Sequence, residues 1–197
     1  VFFMFYFSGH GDTLLDRSGD EVNRYDEALV GYDDYVIDDE INVLLAKYFG
    51  KSQNLMIVDA CHSGTVNKMF LALDFTKAKN NTALFANEAK AIAMAPDLSE
   101  CSYNNIGTIQ EPYNMIYFGA TGDSETAGGG SMGGVFTFWL DKIIQDAKYY
   151  GDWNTMTYRK LACRLAARLQ TYKQSMMYRE IGEQVKHYVN NQPFKTN

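Results

Sequence analysis

The sequence predicts an α/β fold, a mainly parallel sheet with helices on both faces, from three observations. Two apolar runs, Val1 to Phe7 and Leu55 to Val58, each stop abruptly at glycine and small polar residues. Continuous apolar runs mark strands buried on both faces, as parallel strands are. Segments of helical composition alternate with these runs, the order that lays helices across a parallel sheet. Both runs deliver their last residues to one sheet edge, and the carboxyl edge of an open α/β sheet is where ligands bind.

Taken in order, the elements start with a strand over 2–7, followed by an acidic loop over 12–36. A helix over 39–49 has Asp38 as its N-cap and Gly50 as its stop. A strand over 54–59 then leads into a sharp turn and a short helix near 65–73. Residues 75–112 are polar and mixed, broken by Asn80-Asn81 and Asn104-Asn105-Ile106-Gly107. A strand over 115–119, a Gly-rich loop over 119–134 and a helix over 135–148 come next. The glycines of that loop lack the strand-GxGxxG-helix order of a nucleotide site. From Thr155 to about Val189 the chain is rich in Leu, Ala, Arg, Met and Gln, which reads as one long or one broken helix.

A chain of 197 residues with 46% hydrophobic content is one domain with enough material for a sizeable core. No apolar run approaches the roughly 18 residues of a membrane span. The formal charge of −6 argues against a nucleic-acid surface. Three cysteines do not make a disulfide framework, so Cys101 and Cys163 read as a loop thiol and a helix-face residue in a reducing, cytoplasmic setting. Val1 opens inside a strand without Met or signal peptide, which reads as a fragment whose upstream targeting sequence is not visible.

Chemistry concentrates at the two strand ends, Ser8-Gly9-His10-Gly11 and Asp59-Ala60-Cys61-His62-Ser63-Gly64. A histidine and a cysteine reaching one edge on separate strands are what a thiol nucleophile and its base require. A strand-to-helix turn at Cys61 would aim backbone N–H groups outward and favour the thiolate. Glycines on both sides of His10 let a substrate backbone come close. The plainer alternatives are a buried cysteine and a core histidine at two strand ends. His62 follows Cys61 directly and should point away; His187 reads as a surface residue of the C-terminal helix.

These motifs, with Tyr25-Asp26-Glu27-Ala28-Leu29-Val30 and Ile37-Asp38-Asp39-Glu40 between them, closely resemble the metacaspase branch of the caspase-like (clan CD) cysteine peptidases. The likeness covers residues 1–68 and resumes from Ile116 to Leu140, and His10 precedes Cys61 by about 50 residues, as in caspases. It implies a caspase-like, mainly parallel sheet whose first strand and helix are missing from this sequence. It also implies a large-subunit-like part over 1–74, an insertion or processing linker over 75–112 and a small-subunit-like part over 113–197. The activity implied is that of a cysteine endopeptidase with a Cys61–His10 dyad, and the backbone N–H groups of Gly11 and Cys61 resemble the family's oxyanion hole.

By the same resemblance, Asp59 and Ser8 line a pocket for Arg or Lys of protein or peptide substrates. Caspases carry a neutral Gln at the position of Asp59, where a carboxylate would repel a substrate Asp and pair with a guanidinium or ammonium. A turn-capping carboxylate is the alternative for Asp59. Asp26, Asp38 and Asp39 match positions that bind an activating Ca²⁺ in metacaspases, and hard carboxylate oxygens suit that ion. The further acidic ligand of the family is Lys68 here, so calcium binding should be weak and no cofactor is required. The rival functions are an inactive caspase-homology module that binds a partner, an Asp-specific caspase, and a peptidase of the clostripain or separase kind.

Overall fold

The computed structural model describes residues 1–16, 24–60, 111–121, 129–130, 133–172 and 174–195. Its centre is a four-stranded sheet made of β1 (Phe2–Ser8), β5 (Gln53–Asp59), β6 (Met115–Gly119) and β9 (Met177–Ile181), in that spatial order. β1, β5 and β6 run parallel, and β9 closes one edge antiparallel to β6. Period-two alternation divides β5 between two cores. Leu55 and Ile57 face one side with Ile116 and Phe118, whereas Met56 and Val58 face the other with Met115 and Tyr117. Every residue of β5 from Asn54 to Asp59 is buried, which is why the strand was legible as an unbroken apolar run.

Helices cover both faces, as the alternation of elements predicts. On one side lie α2 (Val135–Tyr150) and α3 (Tyr158–Gln170). Phe136, Leu140, Ile143 and Ala147 form the buried stripe of α2, and Leu161, Leu165 and Leu169 that of α3, at helical spacing. Thr157 caps α3, its hydroxyl accepting from the Lys160 N–H at 3.2 Å. Gly151, with φ of 83°, ends α2 in the left-handed conformation that glycine adopts without strain. On the opposite face α1 (Asp38–Tyr48) buries Leu45 against Leu29, Met56 and Val58.

The acidic loop expected over 12–36 is instead a second, three-stranded antiparallel sheet. It comprises β2 (Gly11–Leu15), β3 (Tyr25–Val30) and β4 (Tyr35–Ile37). Aspartate and glutamate are poor strand formers, so Asp26 and Glu27 disguised β3; in the fold both are buried. Asp38 is the first residue of α1 and not its cap, which is Ile37. The Gly-rich segment contributes the two-residue strands β7 (Gly129–Gly130) and β8 (Gly133–Gly134).

The single long or broken helix read over 155–189 is also corrected. α3 stops at Gln170, β9 follows, and a short 3-10 turn spans Glu183–His187, where His187 is exposed. Pairing with β6 overrides the helical propensity of Met177 to Ile181. Glu180 on β9 receives a bidentate pair from Arg159 of α3 at 2.6 Å for each bond, and Tyr178 adds its hydroxyl at 3.0 Å. Cys163 lies buried on α3, as a helix-face residue should, but is disulfide-bonded, a correction to the reading that the cysteines form no bridge. The short helix expected near 65–73 and most of the segment 75–112 lie outside the described residues.

Candidate active site

β1 and β5 keep one register from Phe2 opposite Gln53 to Ser8 opposite Asp59, so the two strands end level at the carboxyl edge. The Gly9 N–H donates to the Asp59 carbonyl at 3.1 Å, extending the pairing one residue past the ladder. There the chain leaves the main sheet. The His10 carbonyl accepts from the Val30 N–H at 2.9 Å, and Gly11 opens β2 opposite Leu29. His10 therefore stands at the junction of two sheets, its backbone fixed by the second and its side chain exposed. Ser8 is exposed beside it. An accessible imidazole on a fixed backbone is what a general acid or base needs.

Cys61 lies outside the described residues, but the peptide that leads to it does not. The Ala120 N–H donates to the Val58 carbonyl at 2.9 Å, and the Thr121 hydroxyl donates to the Ala60 carbonyl at 3.3 Å. Gln174 holds the next carbonyl along, that of Ala120, at 2.7 Å. The strand end that carries the thiol position is thus tied to β6 up to Ala60, the residue immediately before Cys61.

Asp59 is 3% exposed. Its Oδ2 accepts two hydrogen bonds from one residue of α2, the Thr137 N–H at 3.1 Å and the Thr137 hydroxyl at 2.5 Å. Gly134, the N-cap of α2, offers no side-chain cap, so the carboxylate from β5 does that work from across the fold. A Cβ on Gly134 would overlap the Asp59 carboxylate, so a larger residue there would have to displace it. Among the described residues no lysine, arginine or histidine pairs with Asp59. The Tyr6 hydroxyl lies 2.8 Å from Thr137 Oγ1. Sequence reasoning found Asp59 from its place two residues before Cys61. It missed Thr137, Gly134 and Tyr6, whose only signal was Tyr6 standing two residues before Ser8 on the same side of β1.

The three carboxylates matched to calcium sit on the second sheet and at the start of α1. Asp26 lies on β3; Ala28 pairs with Ile37, which brings the start of α1 alongside. Asp38 is fully buried and Asp39 half-buried in the first turn of α1, where carboxylates favour the helix dipole. Among the described residues no group of three or more His, Cys, Asp or Glu side chains is arranged to hold a metal ion. Lys68, at the position of the family's further acidic ligand, lies outside the described residues.

Comparison with known proteins agrees with this architecture. The profile of the Caspase domain matches residues 1–195. Metacaspase-2 of Arabidopsis thaliana is 46% identical over 68 residues, covering 32% of this chain and 16% of that protein. Metacaspase-1 of Schizosaccharomyces pombe is 30% identical over 131 residues, covering 62% of this chain and 30% of that protein. The chain thus spans less than a third of the length of either relative. The crystal structure of protein GSU0716 from Geobacter sulfurreducens superposes with a TM-score of 0.66 at 22% identity, over 99% of this chain and 71% of that one. That likeness concerns the fold alone. No helix among the described residues is long and apolar enough to cross a membrane.

Proposed function

The chain belongs to the caspase-domain family, and we propose that it is a cysteine endopeptidase cutting peptide bonds after Arg or Lys. Asp59 carries the reading: a carboxylate 3% exposed, without a cationic partner among the described residues, two residues before Cys61. Its partners are two neutral donors of Thr137, so a full positive charge is the complement this carboxylate can still take. A substrate guanidinium or ammonium supplies that charge, while a substrate carboxylate is repelled.

The reaction divides between the two strand ends. The Cys61 thiolate attacks the carbonyl carbon of the scissile bond, and the oxyanion is met by the backbone N–H groups of Gly11 and Cys61. His10 gives a proton to the departing amine as the C–N bond breaks, leaving a thioester on Cys61. Water then attacks the thioester carbonyl while His10 takes its proton, and the C–S bond breaks to release the acid product and return the Cys61 thiolate. Ser8, exposed and level with Asp59 in the β1–β5 register, lines the same pocket. No step is routed through a metal.

Short fluorogenic peptides ending in Arg, Lys, Asp or Asn test the proposal, with Cys61→Ala as the blank. Cleavage after Arg and Lys that vanishes in Cys61→Ala is the expected result. Cleavage after Asp alone would overturn the pocket assignment. Turnover retained in Cys61→Ala would overturn the nucleophile, and no cleavage of any peptide would favour a binding module.

A further inference from the structure

We propose that Thr137, with Tyr6 behind it, is a positioning residue for substrate selectivity at this site. The proposal rests on the reading above, in which Asp59 receives the substrate cation. Thr137 makes both hydrogen bonds to Asp59 Oδ2, through its N–H and its hydroxyl. A threonine hydroxyl has one proton. Thr137 donates that proton to a carboxylate, so Tyr6 must be the donor in its 2.8 Å contact with Thr137 Oγ1. The protons therefore point one way, from Tyr6 to Thr137 to Asp59.

The geometry of this relay decides what Asp59 can offer. The backbone of Gly134 walls the carboxylate so closely that a Cβ would meet Oδ2, Cγ and Oδ1 alike. With Oδ2 committed to Thr137, the carboxylate cannot swing, and Oδ1 is the oxygen presented to an incoming cation. A charge held in its binding orientation before the ligand arrives spares the cost of ordering it afterwards. The relay also joins three elements that the site depends on. Tyr6 lies on the strand leading to His10, Asp59 on the strand leading to Cys61, and Thr137 in the first turn of α2. A disturbance at Thr137 should thus register as a change in how well a cation is held, with the thiol chemistry left intact.

The test compares Thr137→Val, Thr137→Ser, Tyr6→Phe and Asp59→Ala on a matched pair of peptides ending in Arg or in norleucine. A hydrogen bond to a charged group commands about tenfold or more. Thr137→Val should therefore raise KM for the Arg peptide by about tenfold, with kcat and the norleucine peptide little changed. Thr137→Ser keeps the hydroxyl and should restore most of the loss. Tyr6→Phe should move KM the same way by less; Tyr6 is 44% exposed, so this variant keeps the test valid if Thr137→Val does not fold. Asp59→Ala separates the two claims. If it abolishes Arg selectivity while Thr137→Val and Tyr6→Phe leave the Arg-to-norleucine ratio unchanged, the positioning role is wrong and the pocket stands. If it leaves the ratio intact, the pocket reading fails and the proposal with it. Equal losses on both peptides in Thr137→Val, without rescue by serine, would mark a purely structural threonine.

Discussion

Asp59 has two duties on this account, capping α2 and meeting a cation, and the substitution Asp59→Asn pulls them apart. The asparagine carbonyl can accept both Thr137 hydrogen bonds, at 3.1 and 2.5 Å in the parent, while the charge is gone. Weakening the helix-dipole contact costs roughly 0.3–1 kcal/mol, so the folded state should lose about 1 kcal/mol at most. Asp59→Ala removes the acceptor altogether and strands two donors of Thr137, at roughly 1–3 kcal/mol. For a chain of this size each kcal/mol moves the Tm by about 2–4 °C. Alanine should therefore melt clearly below asparagine, and asparagine close to the parent. Activity does not follow that order and falls alike in both, because both variants lose the charge. Removing one partner of a buried charge pair costs roughly 2–5 kcal/mol. Converted at about 1.4 kcal/mol per decade, kcat/KM for an Arg peptide should fall by about 30-fold to several thousand-fold in both. Thermal melts and peptide kinetics on the same preparations decide the matter. Full Arg preference in Asp59→Asn would refute the argument, since the carboxylate would then be a helix cap and nothing more.

Four further outcomes follow from particular residues. His10→Ala should lower turnover by about 10²-fold or more, measured on an Arg peptide across pH; a loss below threefold would remove His10 from the chemistry. Burial raises the phenols of Tyr188 and Tyr158 above the ordinary value of 10.0, so the folded state holds these protons longer than the unfolded chain does. Their contribution to stability is whole below about pH 10 and is lost as the pH climbs through the folded values. Urea midpoints should thus fall in alkali, less steeply in Tyr188→Phe, and an identical fall in that variant would exclude the phenol. Activity should survive EGTA in good part, because by the family resemblance Lys68 stands where a further acidic calcium ligand would be and a like charge opposes the cation; silence in chelator with recovery at micromolar calcium would reverse this. Active protein should nick itself after Lys77, Lys79 or Lys90, outside the described residues, and equal intact masses for the parent and Cys61→Ala would count against it.

The parts of the fold that the sequence declared are those where one interaction dominates. β5 and β6 are buried on both faces, so their apolar runs had no competing explanation. Residues 12–36 were illegible because a strand carrying Asp26 and Glu27 looks like a solvated loop until its partners are known. Between Gln170 and Met177 neither glycine nor proline marks the end of α3, and the composition remains helical. Gly182, with φ of 79° and the Tyr113 carbonyl where its Cβ would be, was the one local clue that a strand ends nearby. The site divides in the same way. His10, Gly11 and Asp59 sit within short motifs, whereas Thr137 lies 78 residues from Asp59 and 131 from Tyr6. No periodicity or spacing encodes a contact that only the packing of α2 across the strand ends creates.

That contact also explains how a buried carboxylate is tolerated before substrate binds. An isolated charge taken out of water costs several kcal/mol, more than most domains can spare at one position. The N-terminus of α2 provides roughly half a positive charge, and Thr137 provides two donors to the same oxygen. Together they hold the Asp59 carboxyl in place without a lysine or arginine that a substrate would have to displace. On the proposed reading, Oδ1 is the oxygen that meets the substrate cation, while Oδ2 stays with Thr137. A protein lysine or arginine in the place of Thr137 would stabilise Asp59 better and end its use as a pocket. Thr137→Lys should accordingly keep or raise the Tm while abolishing cleavage after Arg; a variant that cuts Arg peptides as the parent does would show that the α2 side of Asp59 is irrelevant to selectivity.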